Sequence, residues 1–398
     1  MEPDLKSSPA PADGSSWRAL GVGDVVAAGR WLIRWELALV GLLILTFVYG
    51  RSQTPNFGSG TDIFFIGLNI GEIAIMALPL SLIVITGEID LSVASMLGLS
   101  STLLGYLFEH KWSIWAAMAI VLLVGGAGGL LNGLLITKLG LPSIAVTIGT
   151  LTLFRGVAEI ILGSSSVVGF PTSFTNIGIL PISHTHLSYS TGIFLVMALI
   201  FGVVLHATPT GRSIYAIGLQ PETAFFSGIR VTRIKLWLYV ISGVICAFAG
   251  ILWTFRFATS RFDAGTGLEL SVVAVVLLGG VSIFGGRGSI IGVVLAATVL
   301  ACFRDALTLA NVSAQVQNIV TGGLLLVSVV VPNGGEALRR LRRRLPGRRS
   351  GPRGPASIAP SDIAPTATPP TATAPAAAPS VPAPAEGGDA TAHEARRP

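Results

Sequence analysis

The sequence predicts an all-α membrane protein with about ten transmembrane helices. Of its 398 residues, 51% are hydrophobic and only 12% are charged, and the mean hydropathy is +0.74. Ordinary soluble domains carry about 25% charged residues. Apolar residues run unbroken instead of alternating with polar ones, which excludes a β-barrel with a polar lumen. At about 20 apolar residues per helical span, residues 30–335 hold roughly ten spans.

Ten apolar runs are predicted to form these spans. They lie near residues 32–50, 63–86, 91–108, 113–137, 143–163, 190–206, 234–254, 267–284, 289–303 and 315–332. The chain divides into four predicted segments: a disordered tail (1–28), a transmembrane domain (29–335), a basic juxtamembrane segment (336–350) and a disordered tail (351–398). The two tails are rich in Pro, Ala, Ser and Gly and cannot bury enough apolar surface to fold.

Lys and Arg mark the segments predicted to face the cytoplasm. Eight arginines lie in residues 339–353, and the loop of residues 208–235 is also basic. An even number of spans puts this loop and both termini on the same side. Residues 164–189 contain no Lys or Arg, as expected for an external loop. Four arginines fall on the outer side and count against this scheme: Arg51, Arg256, Arg261 and Arg304.

Several kinds of chemistry are not indicated by the sequence. The two cysteines, Cys246 and Cys302, lie in separate apolar runs, so neither a disulfide nor a metal site is expected. The net charge of +6 comes largely from arginines next to the last span, which are typical of a membrane anchor rather than of nucleic-acid binding. No Walker phosphate loop, HExxH, GxSxG or CxxC motif occurs. We therefore expect a chain that binds no cofactor and is not itself an enzyme.

Polar residues at the predicted spans are candidates for a transport path, because burying them in lipid is costly. The candidates are Asn69, Glu72, Glu88, Asp90, Arg155 and Glu159. Arg155 and Glu159 are four residues apart and can pair on one helix face, which is the simpler interpretation. Glu72 fits either a polar path or a hydrogen bond between helices. In the turn TGEIDLS, residues 86–92, capping of the next helix by Asp90 or Ser92 is a sufficient role.

Two further patterns concern packing. Gly125, Gly129 and Gly133 recur every four residues and line one helix face, which allows close contact with a neighbouring helix. The segments that begin at Glu72 and Glu269 share an acid, an apolar run and a terminal Gly. This likeness permits pseudo-symmetric halves, as in many transporters, although any two membrane spans look alike.

The loop of residues 208–235 is predicted to contain a short helix. Pro221 suits its first position, Glu222 favours its positive end and Gly228 suits its end, giving about seven residues. The apolar Phe225 and Phe226 would stand in water unless the helix docks on this protein, on a partner or on the lipid surface.

Three segments resemble the membrane-spanning permease subunit of bacterial ABC sugar importers, in the ribose, rhamnose and autoinducer-2 group. They are TGEIDLSVASMLGLSS from residue 86, TGRSIYAIGLQPETAFFSGI from residue 210 and LGGVSIFGGRGSIIG from residue 278. RWELALVGLL, FRDALTLANV and VVVPN resemble the rhamnose and autoinducer-2 members, and the likeness covers about residues 30–335.

The resemblance implies that the second segment couples the permease to an ATPase. The positions that match the family's coupling segment are Gly211, Arg212, Tyr215, Ala216, Gly218, Glu222, Ala224, Ser227 and Gly228. At three positions this chain departs from the family, with Gln220, Thr223 and Phe225 where members often have Asn, Ala and a basic residue.

The resemblance also implies an assembly in a bacterial plasma membrane. It consists of two permease subunits, identical or homologous, two ABC ATPase subunits that use ATP and Mg²⁺, and an external sugar-binding protein. We expect contact with membrane lipid and none with nucleic acid. Charges on the predicted outer loops are candidate contacts for the binding protein: Arg256, Arg261, Asp263, Arg304 and Asp305.

The expected function is import of a rhamnose- or ribose-like monosaccharide or of autoinducer-2, with ATP hydrolysis by the partner chain. The alternative is a secondary sugar carrier driven by an ion gradient, with Glu72, Arg155 and Glu159 as its ion relay. An integral-membrane enzyme or a scaffold is a third hypothesis, weakened by the lack of clustered catalytic residues.

Overall fold

The computed structural model describes residues 22–182 and 185–344. Within these ranges the chain forms helices α1 Val22–Gln53, α2 Gly60–Ile85, α3 Val93–Glu109, α4 Ile114–Thr137, α5 Ser143–Leu162, α6 Thr172–Ile179, α7 Tyr189–Ala207, α8 Pro209–Leu219, α9 Pro221–Phe226, α10 Val231–Phe257, α11 Leu268–Leu278, α12 Ile290–Leu309 and α13 Ala314–Arg344. The strands are β1 Ser166–Val168 and β2 Thr259–Arg261. The predictions for residues 1–21 and 345–398 lie outside the described residues.

Each of the ten predicted spans overlaps one helix. Within the described ranges, seven of these helices are long and apolar enough to cross a membrane, and α3 and α11 are apolar but shorter. The prediction of an all-α polytopic membrane protein is therefore confirmed.

Some predicted boundaries are wrong. Helix α1 already begins at Val22, so residues 22–28 do not belong to a disordered tail. Helix α11 ends at Leu278 rather than near residue 284, because Gly280, with φ of +79°, turns the chain away. Helix α13 continues to Arg344 through most of the predicted basic segment.

Helix α2 lies at the centre of the bundle. Every residue from Ile70 to Thr86 is buried, and the helix contacts α7, α10, α11 and α12. A helix that is apolar on all sides is buried on all sides by neighbouring helices.

The outer helices expose large apolar side chains instead. Leu123 on α4 is 74% exposed, Ile160 on α5 is 85% exposed and Leu199 on α7 is 69% exposed. Such side chains would be costly in water over so wide an area, so these faces are suited to lipid.

Helices α4 and α10 pack closely along the predicted glycine face. A Cβ atom at Gly125 would lie 2.6 Å from the carbonyl oxygen of Gly243, and one at Gly133 would lie 2.8 Å from the side chain of Leu236. At Gly129, a Cβ atom would overlap the backbone of Tyr239. The predicted packing role of this face is confirmed.

The segment predicted as a plain external loop carries structure of its own. Strand β1 pairs antiparallel with β2, with Val167 opposite Ser260. In α6, a Cβ atom at Gly178 would lie 2.6 Å from the Cα atom of Arg256. The segment is therefore held against the end of α10.

Candidate functional site

The three segments that carry the family resemblance meet at one end of the bundle. The backbone N–H of Gly286 donates to the carbonyl oxygen of Ile85 at 2.8 Å. The Tyr215 hydroxyl donates to the carbonyl oxygen of Gly288 at 2.7 Å. We call this surface, formed by residues 85–92, 208–230 and 279–289, the motif face.

The predicted short helix is present at the motif face as α9. Pro221 occupies its first turn, and Glu222 lies at its positive end. Gly228 has φ of +84° and donates its N–H to Phe225 at 3.0 Å, while Ile229 donates to Ala224 at 3.1 Å. These two hydrogen bonds satisfy carbonyl groups of the last helical turn, as is common where a helix ends at a glycine with positive φ.

Helix α8, which precedes α9, was not predicted. Thr208 is its N-cap and accepts a hydrogen bond from the N–H of Gly211 at 3.3 Å, and Pro209 follows at the first position. This Thr-Pro pair is a start signal that the sequence already contained.

Three small residues at positions that match the family's coupling segment are packed against the rest of the chain: Gly211, Gly218 and Ala224. A Cβ atom at Gly211 would overlap the carbonyl of Leu205, and one at Gly218 would overlap Ile85 and Gly286. Ala224 is only 3% exposed. These positions therefore fix how α8 and α9 pack on the rest of the chain.

Tyr215 links α8 to the glycine hairpin of the motif face through its bond to Gly288. Burial raises the pKa of Tyr215 to about 12. The phenol consequently keeps its proton at neutral pH and can donate this hydrogen bond.

The other coupling residues lie at the surface. Arg212, Glu222, Ser227 and Gly228 are exposed, and Ala216 is half-buried. The three positions that depart from the family pattern are also exposed: Gln220, Thr223 and Phe225.

Three aromatic side chains stand out from the motif face. Phe225 is 65% exposed, Phe226 is 85% exposed and Phe284 on the hairpin is 76% exposed. The rings of Phe225 and Phe226 lie edge to face at 5.7 Å. An exposed aromatic patch with charged neighbours is typical of a protein interface.

The acids of the TGEIDLS turn hold helices together. Glu88 forms an ion pair with Lys235 on α10. Asp90 accepts the N–H of Ser92 at 2.9 Å and its hydroxyl at 2.6 Å, and Asn132 on α4 donates to that hydroxyl at 2.9 Å. The predicted capping is found in part, because Asp90 accepts the N–H of Ser92, the N-cap residue of α3. The Ser92 hydroxyl is bound to Asp90 and forms no cap bond.

Glu72 forms a bond between helices, one of the two roles that its sequence left open. Its carboxylate pairs with Arg256 of α10 at 2.9 Å, and Arg256 also donates to Asn69 at 2.6 Å. The Arg256 side chain is only 12% exposed. It therefore offers little surface to an external protein, against its prediction as a docking residue.

The predicted pair of Arg155 with Glu159 is wrong. Arg155 instead pairs with Glu269 of α11 at 3.2 Å and donates to the carbonyl oxygen of Ala264 at 2.7 Å. The partners of the Arg155 guanidinium thus lie outside α5. Glu159 is exposed and forms no ion pair within the described part of the chain.

The remaining outer-loop candidates fall into two groups. Arg261 and Asp263 are exposed and form two hydrogen bonds of 2.8 and 3.0 Å, through which Arg261 lowers the pKa of Asp263. They border a cavity of about 280 Å³. Arg304 donates to Ser271 at 3.1 Å, and Asp305 is 9% exposed. Both of these are held inside the bundle.

A family model described as "Branched-chain amino acid transport system / permease component" matches residues 62–329, more than half of the chain. The chain is a member of this permease family. The match runs from α2 into α13 and contains all of the motif face.

Curated relatives give a closer comparison. The protein named "Autoinducer 2 import system permease protein LsrD" of Escherichia coli strain K12 is 34% identical over 302 residues, which cover 74% of this chain and 91% of the relative. The proteins of that name from Shigella flexneri and Escherichia coli O157:H7 match equally well. No solved structure matches the chain. The resemblance to ABC sugar permeases of the ribose and autoinducer-2 group is thus confirmed.

Proposed function

We propose that this ABC sugar-type permease imports a rhamnose- or ribose-like monosaccharide or autoinducer-2, driven by ATP hydrolysis in a separate subunit. The observation that carries the proposal is the motif face. Three distant segments form one surface there, and it presents Phe225 and Phe226 on a short, well-terminated helix. The relatives named as autoinducer 2 import permeases support the same class of substrate.

The motif face is the proposed docking site of the ATPase. Helix α9 would enter the partner, while α8 transmits its movement to the spans on either side, α7 and α10. The hydrogen bond from Tyr215 to Gly288 would carry the same movement into the hairpin between α11 and α12. The hydrogen bond from Gly286 of that hairpin to Ile85 would carry it on to the end of α2. Rigid elements joined in this way can convert closure of a partner into a tilt of the spans.

The proposed assembly has the motif face and both termini in the cytoplasm of a bacterial cell. A second permease, identical or homologous, and two ATPase subunits with ATP and Mg²⁺ complete the membrane complex. The binding protein would dock outside, where Arg261 and Asp263 are the exposed charges among the candidates.

The polar residues of the spans remain candidates for the transport path. Glu72 and Arg155 are each held in an ion pair with another helix, as a structural role requires. An ion-gradient carrier would need such acids to bind and release the ion during transport. We therefore prefer the ATP-driven mechanism.

The test uses the tagged full-length chain purified from its native membrane, with co-purifying subunits and ATP hydrolysis measured. The double variant Phe225→Asp with Phe226→Asp should lose the ATPase subunit, because charge would replace both exposed rings. Trp112→Asp is the matched control, since Trp112 is 50% exposed in the turn at the opposite end of α3. It should retain the ATPase.

Two results would contradict the proposal. One is equal ATPase recovery with the double variant and the unaltered chain. The other is sugar uptake by the chain alone in liposomes under an ion gradient without ATP. In that case Glu72→Gln should abolish the uptake, as the carrier alternative requires.

A further inference from the structure

An apolar groove opens between α2, α7, α8 and α10 beside the motif face. Its volume is about 470 Å³. Ile200, Val204, Trp237 and Ile241 are among its apolar walls, and Thr210 and Arg233 are its polar lining residues. Trp237 is 62% exposed and Ile200 is 54% exposed, so the groove is open toward the surroundings of the bundle.

The groove extends over most of one leaflet of a bilayer. Arg233 lies at the start of α10, and Ile241 lies eight residues further along the same helix. At about 1.5 Å per residue, this stretch measures about 12 Å. One leaflet of the hydrocarbon core is about 15 Å thick. Since α10 is a candidate membrane span, Arg233 would lie at the headgroup level and Ile241 among the acyl chains.

The polar end of the groove has unused hydrogen-bonding capacity. Arg233 and Thr210 are both exposed, and neither side chain has a hydrogen bond or ion pair within the described ranges. A guanidinium and a hydroxyl together suit a phosphate group. Trp237, one turn from Arg233, is the residue type favoured at the membrane interface.

We propose that the groove holds one acyl chain of an anionic phospholipid, whose phosphate binds Arg233 and Thr210. Basic pockets between membrane helices are suited to such headgroups. Thr210 and Ile214 of α8 line the groove together with Val204 of α7 and Arg233 of α10. The lipid would therefore brace α8, the first half of the coupling segment, against the two spans that it joins.

The test counts lipids retained by the purified full-length chain in native mass spectrometry. Dioleoylphosphatidylglycerol and dioleoylphosphatidylcholine are the probes. We expect roughly ten-fold preference for phosphatidylglycerol, from the charge-assisted bonds. Arg233→Gln should abolish the preference, and Arg233→Lys should keep part of it. Arg230→Gln is the matched control, because Arg230 is exposed and adjacent but does not line the groove.

A second variant tests the apolar part of the site. Ile200→Trp should fill the groove and reduce retention of both lipids while Arg233 remains in place. Its size-exclusion profile and thermal midpoint should match those of the unaltered chain, because Ile200 is exposed on α7.

Several outcomes would overturn the proposal. If Arg233→Gln and Arg230→Gln reduce the preference for phosphatidylglycerol equally, the lipid is attracted by diffuse surface charge and not by a site at Arg233. Normal lipid retention with Ile200→Trp would mean that the groove is not the site. Binding of inorganic phosphate with no retention of either lipid would indicate a site for the free anion. If Ile200→Trp releases a protein subunit and leaves lipid retention unchanged, the groove is a protein interface.

Discussion

The ion pair between Glu72 and Arg256 gives the sharpest test of how this bundle is held together. Glu72 is 1% exposed, and the 2.9 Å contact with Arg256 supplies its countercharge. Replacing Arg256 with Met would leave this carboxylate buried without a cation. Breaking a buried ion pair from one side costs about 3–5 kcal/mol. The bond from Arg256 to Asn69 adds little, because Asn69 is exposed and water can replace it.

Removing both charges should cost much less than removing one. The double variant Glu72→Leu with Arg256→Met leaves no buried charge, and such replacements of a buried pair are often neutral. The measurement is a double-mutant cycle on the free energy of unfolding of the purified chain in detergent, followed by tryptophan fluorescence. The matched control is Arg261→Met, which breaks the exposed pair with Asp263 and should change stability little.

Two results would refute this reasoning. If Arg256→Met and Arg261→Met cost the same, burial of Glu72 does not determine the penalty. If the loss of unfolding free energy in the double variant equals the sum of the losses in Glu72→Leu and Arg256→Met, the two side chains do not interact energetically. Either result would also weaken the structural role assigned to Glu72 and favour its role in the transport path.

Three further predictions concern packing. Gly129→Ala should destabilise the chain by about 1–3 kcal/mol, since its Cβ overlaps Tyr239, whereas Gly149→Ala, in open space, should be neutral or stabilising in the same unfolding assay. Gly218→Ala should lower ATPase co-purification without loss of membrane insertion, and full recovery would contradict the packing argument. Tyr215→Phe should lower the free energy of unfolding by about 1 kcal/mol at every pH below about 10, because the raised pKa keeps the phenol protonated there. A destabilisation that grows between pH 6 and 8 would contradict this prediction.

The sequence was informative wherever a local rule determines the outcome. The spans follow from apolar length, the glycine face of α4 from its four-residue spacing, and α9 from Pro221 and Gly228 at its two ends. The same kind of signal at Thr208 and Pro209 would have revealed α8.

Partners across helix interfaces could not be predicted in the same way. Spacing alone favoured Glu159 as the partner of Arg155, but the fold places Glu269 and the Ala264 carbonyl nearer to its guanidinium. Arg256 was assigned to an outer surface because it follows a span, whereas the structure turns it toward Glu72. Side-chain direction depends on which helices become neighbours, and that information is not local.

The coupling segment separates positions that pack from positions that a partner could touch. Gly211, Gly218 and Ala224 match the family and are packed against this chain. The three positions that depart from the family pattern, Gln220, Thr223 and Phe225, are all exposed. Substitution at exposed positions leaves the packing of α8 and α9 intact while altering the surface available to the proposed ATPase partner. If α8 and α9 dock on an ATPase as proposed, exchanging these three residues should change which ATPase is bound without changing stability.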